Sequence, residues 1–311
     1  MNYPLKLEEH DISFFKETAV LNISQGQNTK AYTHFLHPYF RTLPMHSHNY
    51  YELNIITKGN GMHYIGNHIY PATVGNAYIL PPNMRHGYYS DEDFSIFHLV
   101  ISNLFLHTYS DELRPLDGYS FLFEIEPILR YDSNINALLK IDDSAYSYIE
   151  NITNRLIYYD KEEVSNKIML KNTLSLNLIA EMCTVAADIN KGKTQNMSLS
   201  EDGYVYPITK AMMYISENYA KKISFNYVAE LVGMSYPTFY RSFIKINKMP
   251  PAIFLKHYRV KKSLELLTYS DLSIAQIALD CGFYDSSHFI KSFTSIKNTS
   301  PNDYRRVTKK E

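Results

Sequence analysis

Two cysteines stand among 311 residues, far too few for a disulfide framework. Both Cys183 and Cys281 fall in apolar helical patterns and read as small buried hydrophobes, which fits a reducing compartment. No stretch approaches the roughly 18 uncharged apolar residues of a membrane span. Residues 1–11 carry acidic groups and no apolar run, so no secretory signal is expected and a cytoplasmic location is. Net charge is scarce too, at −1, but that value hides a division. Residues 205–311 hold 16 Lys+Arg against 8 Asp+Glu, a formal +8, whereas residues 1–204 hold 15 against 24, or −9. A basic C-terminal third suits a polyanionic partner, and the acidic remainder does not. The length allows two domains with cores of their own.

The last hundred residues repeat one pattern. The first copy runs from Ser224 to Gly233, then Phe239 and Phe243, then Pro251 and Phe254; the second runs from Ser273 to Gly282, then Phe289 and Phe293, then Pro301 and Tyr304. Only the turn differs, with six positions from Gly233 to Phe239 and seven from Gly282 to Phe289. Ser224 and Ser273 are candidate N-caps, and Gly233 and Gly282 fall where a first helix needs a left-handed residue to end. Each copy therefore reads as a helix-turn-helix. Phe239/Phe243 and Phe289/Phe293 are i,i+4 pairs that face a core. The opposite face then presents Pro237, Thr238, Tyr240, Arg241 and Lys245 in the first copy. In the second it presents Asp285, Ser286, Ser287, His288, Lys291 and Ser292. Arg grips guanine through two bonds, Ser bonds either way, and Lys serves a base or a phosphate. Between the copies, Ala252–Thr268 reads as a helix of about 25 Å, a length able to set two reading heads one turn of B-DNA apart.

Upstream, residues 18 to about 102 read as short strands such as Tyr51–Thr57, Met62–Ile65, Ala77–Leu80 and Ser95–Ile101, punctuated by Gly, Asn and Pro. That spacing predicts a β-barrel or jelly roll. From about Asn103 the period turns helical, with helices over Ser144–Lys161 and Glu163–Ile189. Residues 191–206 read as a linker. The expected architecture is an α+β multidomain chain: an effector-binding and dimerisation domain over 1–190, the linker, and an all-α double helix-turn-helix domain over 207–311.

Residues 208–306 resemble the DNA-binding domain of the AraC/XylS family of bacterial transcription regulators. The resemblance lies in Ala229-x-Leu231-Val232-Gly233-Met234-Ser235-x3-Phe239-x-Arg241-x-Phe243, in Ile274-Ala275-x-Ile277-Ala278-x2-Cys281-Gly282-Phe283, and in Ser300-Pro301-x2-Tyr304-Arg305. It implies base contacts from Pro237, Tyr240 and Arg241 in the first head and from Ser286, Ser287 and Lys291 in the second. Lys248 and Asn298 stand where the family usually has Gly, so the first junction is expected to be built differently, with Asn247 as a candidate cap. Pro250 replaces the usual Ser before Pro251 and removes an N-cap hydroxyl.

In the N-terminal half, His46-x-His48-x3-Glu52 and His86 are similar to the two cupin motifs. Three imidazoles and a carboxylate suit a divalent transition metal, or serve as hydrogen-bonding groups of an effector pocket. The resemblance implies a cupin-type sensor, and Arg41 matches the arginine that grips the sugar in the arabinose sensor. Tyr64, Tyr78 and Tyr88 are candidate stacking platforms. The expected effector-binding set is Arg41, His46, His48, Glu52, Tyr64 and His86, with His46, His48, Glu52 and His86 the candidate metal ligands. The function expected from this reading is a sugar-responsive activator of a carbohydrate-utilisation operon. It would act as a homodimer on promoter DNA with RNA polymerase as a partner, and would not be an enzyme. Two alternatives stay open: a metal- or stress-sensing regulator of the same family, and a metal-dependent cupin enzyme.

Overall fold

A computed structural model describes residues 19–21, 29–36, 41–133, 139–161, 167–190 and 203–309. Residues 1–18 and most of the 191–206 linker lie outside these. The chain divides into two compact units, one running to Leu199 and the other from Ser200.

Among the described residues of the first unit, ten strands form two five-stranded sheets. They are β1 (Ala19–Leu21), β2 (Thr29–Leu36), β3 (Thr42–His48), β4 (Tyr51–Lys58), β5 (Asn60–Ile65), β6 (His68–Thr73), β7 (Asn76–Leu80), β8 (His86–Tyr89), β9 (Phe94–Ile101) and β10 (Leu139–Lys140). One sheet has the order β1-β3-β8-β5-β6 and the other β10-β7-β4-β9-β2. All pairings are antiparallel except β1 with β3. The strands meet their sequence-based limits to within about two residues, and the change to helix falls at Asn103 as expected.

Side chains alternate across a strand, so each strand turns every second residue toward the space between the sheets. One end of that interior is apolar, built from Leu36, Ile56, Ala72, Tyr78, Tyr88, Phe94 and Ile96. The other end is polar, with Tyr32, His48, Glu52, Asn54, His63, His86 and His98 on the same alternation. The outer face of the β4-β9 sheet is apolar as well (Leu53, Ile55, Phe97, Leu99), and these residues are buried.

Short helices α1 (Asn103–Thr108) and α2 (Ser110–Leu113) lead into a π-helical turn, Phe121–Ile125, that continues as α3 (Glu126–Ser133). Helices α4 (Asp143–Lys161) and α5 (Ile168–Asn190) pack on each other and on β2. Among the described residues, no helix is long and apolar enough to cross a membrane.

The second unit is helical: α6 (Val205–Glu217), α7 (Phe225–Leu231), α8 (Tyr236–Asn247), α9 (Pro251–Tyr269), α10 (Ile274–Asp280), α11 (Ser286–Lys297) and α12 (Pro301–Thr308). Ser224 accepts the Tyr227 N–H and Ser273 the Gln276 N–H, as expected of N-caps. The two turns close identically. Gly233 N–H donates to the Glu230 carbonyl and Met234 N–H to Ala229; Gly282 N–H donates to Leu279 and Phe283 N–H to Ala278. This is the paired bonding of a Schellman motif. Both glycines have positive φ, 68° and 79°.

One junction differs from expectation. Lys248, not Asn247, takes the left-handed position after α8 (φ 56°), and its ammonium donates to the Lys245 carbonyl. Asn247 stays helical and buried, its side chain bonded to the Phe243 carbonyl. Asn298 takes the matching position after α11. Pro250 caps α9 without a side-chain bond, whereas Ser300 accepts the Asp303 N–H at the start of α12.

These features set a ranking of substitutions. Gly233→Ala meets no atom within 4 Å and carries only the left-handed penalty, about 1–2 kcal/mol. Gly282→Ala would put its Cβ 2.7 Å from the Ala220 carbonyl oxygen and should lose clearly more. Lys248→Gly relieves the left-handed lysine and should gain up to about 1 kcal/mol. Urea unfolding of the three variants tests the order, and a Gly233→Ala loss equal to that of Gly282→Ala would contradict it.

Candidate nucleic-acid interface and effector cup

Helices α8 and α11 follow the turns, and their N-termini are capped by Ser235, which accepts Thr238 N–H, and Asp285, which accepts His288 N–H at 2.7 Å. Asp285 is thus committed to the cap. It is preceded by the one extra residue of the second turn, Tyr284, which is 89% exposed. Phe239, Phe243, Phe289 and Phe293 are fully buried, each pair in edge-to-face contact at 5.5–5.6 Å. The faces opposite them are open. Pro237, Tyr240, Arg241 and Lys245 are exposed on α8, and Ser287, His288 and Lys291 on α11, while Thr238 and Ser286 are half-buried. Ser292 departs from expectation: it points inward and is buried, because it neighbours Phe293 on the core side. Between the heads, α9 is an unbroken helix of 19 residues, about 28 Å long.

The polar end of the barrel gathers His46, His48, Glu52 and His86. A bend at Asn49 and Tyr50 carries the chain from β3 into β4 of the opposite sheet, and β8 pairs with β3 so that His46 lies across from His86. One ligand atom from each of His46, Glu52 and His86 lies within 4.8 Å of the others. Glu52 Oε2 is 3.4 Å from His86 Nε2 and 3.6 Å from His48 Nε2. Three residues that sequence reasoning missed complete the surroundings. Tyr32 donates its hydroxyl to Glu52 Oε1 at 3.0 Å, His98 Nδ1 lies 3.2 Å from the same oxygen, and Asn54 Nδ2 donates to Oε2 at 3.2 Å. His34 in turn meets His98 Nε2 at 3.2 Å. Strand parity on β2, β4 and β9 was the signal that could have found them.

Tautomers follow from the backbone. Nδ1 of His46, His48 and His86 each faces a carbonyl, of Pro44, Tyr50 and Met84 respectively, at 2.8–3.0 Å, and so must donate to it. In the neutral rings Nε2 then keeps its lone pair, and protonation makes it a donor toward the Glu52 carboxylate. Burial, then the neighbouring His86, pushes His46 down to about 4, and burial lowers His86 as well. Burial pushes the Glu52 carboxyl up, but the facing imidazoles, His98 foremost, outweigh it and hold its pKa well below the usual value. A carboxylate and imidazole lone pairs thus converge on one small volume, and His48 Nε2 and His86 Nε2 have no hydrogen-bond partner. This donor set fits a divalent transition ion, and backbone-pinned Nδ1 atoms are the usual way such imidazoles are oriented. His46, Glu52 and His86 would hold the ion, with His48 beside them.

Two expected effector contacts are elsewhere. Arg41 lies on the surface, its side chain half exposed and paired with Asp91 at 3.3 Å. Tyr64 sits between the inward His63 and Ile65 and so faces the other side of its sheet. Tyr78 and Tyr88 do line the interior.

A barrel with a polar, histidine-rich interior and two outward-facing helix-turn-helix heads together define a ligand-binding module carried on the same chain as a DNA-binding one. The comparisons agree. The AraC-like ligand binding domain model matches residues 32–141, and a helix-turn-helix domain model matches residues 228–307. The HTH-type transcriptional activator RhaS of Klebsiella pneumoniae (strain 342) is 23% identical over 263 residues, 85% of this chain and 87% of that protein. RhaS of Salmonella schwarzengrund is 23% identical over 265 residues with the same coverage. Among solved structures, the DNA-binding domain of AdpA in complex with a target DNA is 27% identical over 32% of this chain and 91% of that one, with a TM-score of 0.32. Fatty-acid-bound ToxT from Vibrio cholerae is 16% identical over 90% of this chain and 95% of that one, with a TM-score of 0.35. The chain therefore carries both parts that these models describe, an AraC-like ligand binding domain and a helix-turn-helix domain.

His46 prefers to be neutral when folded, so protonation favours the unfolded chain. In chelator-treated protein, stability should therefore fall as pH drops from 6.5 toward 4, by about 1.4 kcal/mol per pH unit for this group. His46→Gln should flatten that slope in urea titrations; an unchanged slope would remove His46 as its source. Tyr32→Phe frees Glu52 Oε1 and should weaken zinc or nickel binding about 10-fold or more by calorimetry.

Proposed function

We propose that this protein is a sugar-responsive transcription activator that reads two successive major grooves through α8 and α11. The observation that carries the DNA reading is the repeated burial of one phenylalanine pair per head, which leaves an exposed face with Arg241 and Lys245 on one helix and Ser287 and Lys291 on the other. The candidate base contacts are Pro237, Thr238, Tyr240, Arg241, Ser286, Ser287, His288 and Lys291, with Lys245 serving a phosphate. The rigid α9 sets the spacing, so the operator needs no palindrome.

Activation is supported by the name of the RhaS relatives, HTH-type transcriptional activators that align over most of the chain, and a carbohydrate effector by the resemblance of the His46-x-His48-x3-Glu52 and His86 pattern to cupin-type sensors. The target would be a carbohydrate-utilisation operon, with RNA polymerase as the protein partner and the cytoplasm as the location. Effector binding in the cup of His46, His48, Glu52 and His86 shifts a two-state equilibrium of the regulator. Helices α4 and α5 expose Tyr148, Tyr158, Ile168, Met169 and Leu170, a surface suited to a second copy. A homodimer would engage two such sites and gain affinity through effective concentration.

A second reading, a metal-sensing regulator, is favoured by the converging lone pairs around Glu52. Titrating zinc, nickel and manganese during promoter binding separates the two: a metal-dependent change in operator affinity with no response to any sugar would select it.

Arg241→Ala should weaken operator binding by roughly 1–3 kcal/mol and relax base preference at one position, measured by fluorescence anisotropy on operator and scrambled duplexes. Equal weakening on both duplexes would reassign Arg241 to the backbone.

A further inference from the structure

A second set of buried polar groups adjoins the cup and meets it at Asn54. Glu126 and Arg130 stand one turn apart on α3, both fully buried. Arg130 donates to Glu126 through Nε at 2.6 Å and Nη2 at 3.0 Å, and Nη2 also donates to the Ile79 carbonyl at 2.7 Å. Its third nitrogen, Nη1, is buried and donates to nothing. The guanidinium lies over the inward ring of Tyr78, 4.9 Å from its centre. His63 packs on the same ring at 4.5 Å and stacks flat on Tyr88 at 4.3 Å. It is fully buried, and neither of its ring nitrogens has a partner. Asn54, bonded to the Tyr88 hydroxyl through Nδ2, has an unpartnered Oδ1.

Folded proteins leave few such groups, and each one left calls for an explanation, of which a bound polar molecule is one. The chemistry of the set narrows what that occupant is. Arg130 Nη1 only donates, whereas Asn54 Oδ1 only accepts. Burial, with Arg130 and His86 close by, keeps His63 neutral, so it offers one donor and one acceptor. A simple anion would serve Arg130 and repel the acceptors. A molecule with several hydroxyls, each able to donate and accept, serves both kinds. Because Arg130 is already neutralised by Glu126, a neutral ligand is favoured over a charged one.

We infer that His63 and Arg130 form the recognition edge of the effector site, hydrogen-bonding the hydroxyls of a neutral monosaccharide; this deepens, and rests on, the carbohydrate reading above. The edge is also mechanically placed. Arg130 belongs to α3, which continues directly from the π-helical turn Phe121–Ile125, and that turn packs against α5. Gly118, just before it, lies so close to α5 that a Cβ there would stand 2.1 Å from the Cys183 carbonyl oxygen. A π-helical turn is a common point of adjustment in a helix. A sugar held by Arg130 pulls on the segment that abuts the candidate dimer helix.

The test is thermal unfolding of the full-length protein with a panel of neutral aldopentoses, aldohexoses and 6-deoxyhexoses, with the matching uronic acids as the charged arm. His63→Phe keeps the ring and removes both unpartnered nitrogens. It is expected to raise the sugar-free Tm by about 2–4 °C and to abolish the sugar-induced rise. Glu126→Met/Arg130→Met removes the pair together, leaving no stranded charge, and is expected to abolish the same rise. Retention of the rise in both variants, or a lower sugar-free Tm in His63→Phe, overturns the inference and leaves the carbohydrate reading standing. A wild-type protein that no sugar stabilises overturns the carbohydrate reading itself. A response confined to uronic acids overturns the neutral class.

Discussion

The burial of two i,i+4 phenylalanine pairs fixes what this protein can present to DNA. Phe239 and Phe243, like Phe289 and Phe293, take the core side of their helices, and a helix rotated by a single position would bring polar side chains into the core instead. The exposed faces are therefore determined by packing rather than by the residues that occupy them. Those exposed positions are then free to differ between the copies: Tyr and Arg on α8, Ser and His on α11. Everything upstream of each helix serves the same end. A serine cap, a left-handed glycine and the paired turn bonds deliver each reading helix at one angle to the helix before it.

The sensor depends on a different constraint, the alternation of side chains across two facing sheets. Alternation brings Glu52 from one sheet against His86 from the other, and it also forces Tyr64 away from the interior that its neighbour His63 enters. The outcome is an interior divided along its length, apolar around Phe94 and Ile96 and polar around Glu52. Polar groups inside a small barrel are costly unless paired, and their concentration at one end is where chemistry, rather than packing, explains the sequence.

Much of this was legible in the chain. Strand limits, the helical switch at Asn103, both serine caps and both glycine turns follow from local patterning, because each is decided by neighbours within a few positions. What was not legible depended on contacts between distant segments. Arg41 was placed in the pocket by motif spacing, yet Asp91, fifty residues away, holds it at the surface. Tyr32, His63 and His98 lie outside any motif and become visible only when strand register is known. The Glu126–Arg130 pair looks in sequence like an ordinary solvated i,i+4 pair, and only its full burial gives it another meaning. The turn after α8 shows a subtler limit: Asn is the better left-handed residue, but Asn247 is needed in the core, so the strained position falls to Lys248.

The unpaired groups around Glu52 and His63 have a consequence for the protein's life in a cell. A sensor that leaves hydrogen-bonding capacity unused when empty is less stable than it could be, and any guest that uses that capacity shifts it toward the folded form by mass action. Proteases act on the unfolded fraction. Occupancy would then set the regulator's half-life, and hence its abundance, as well as its conformation.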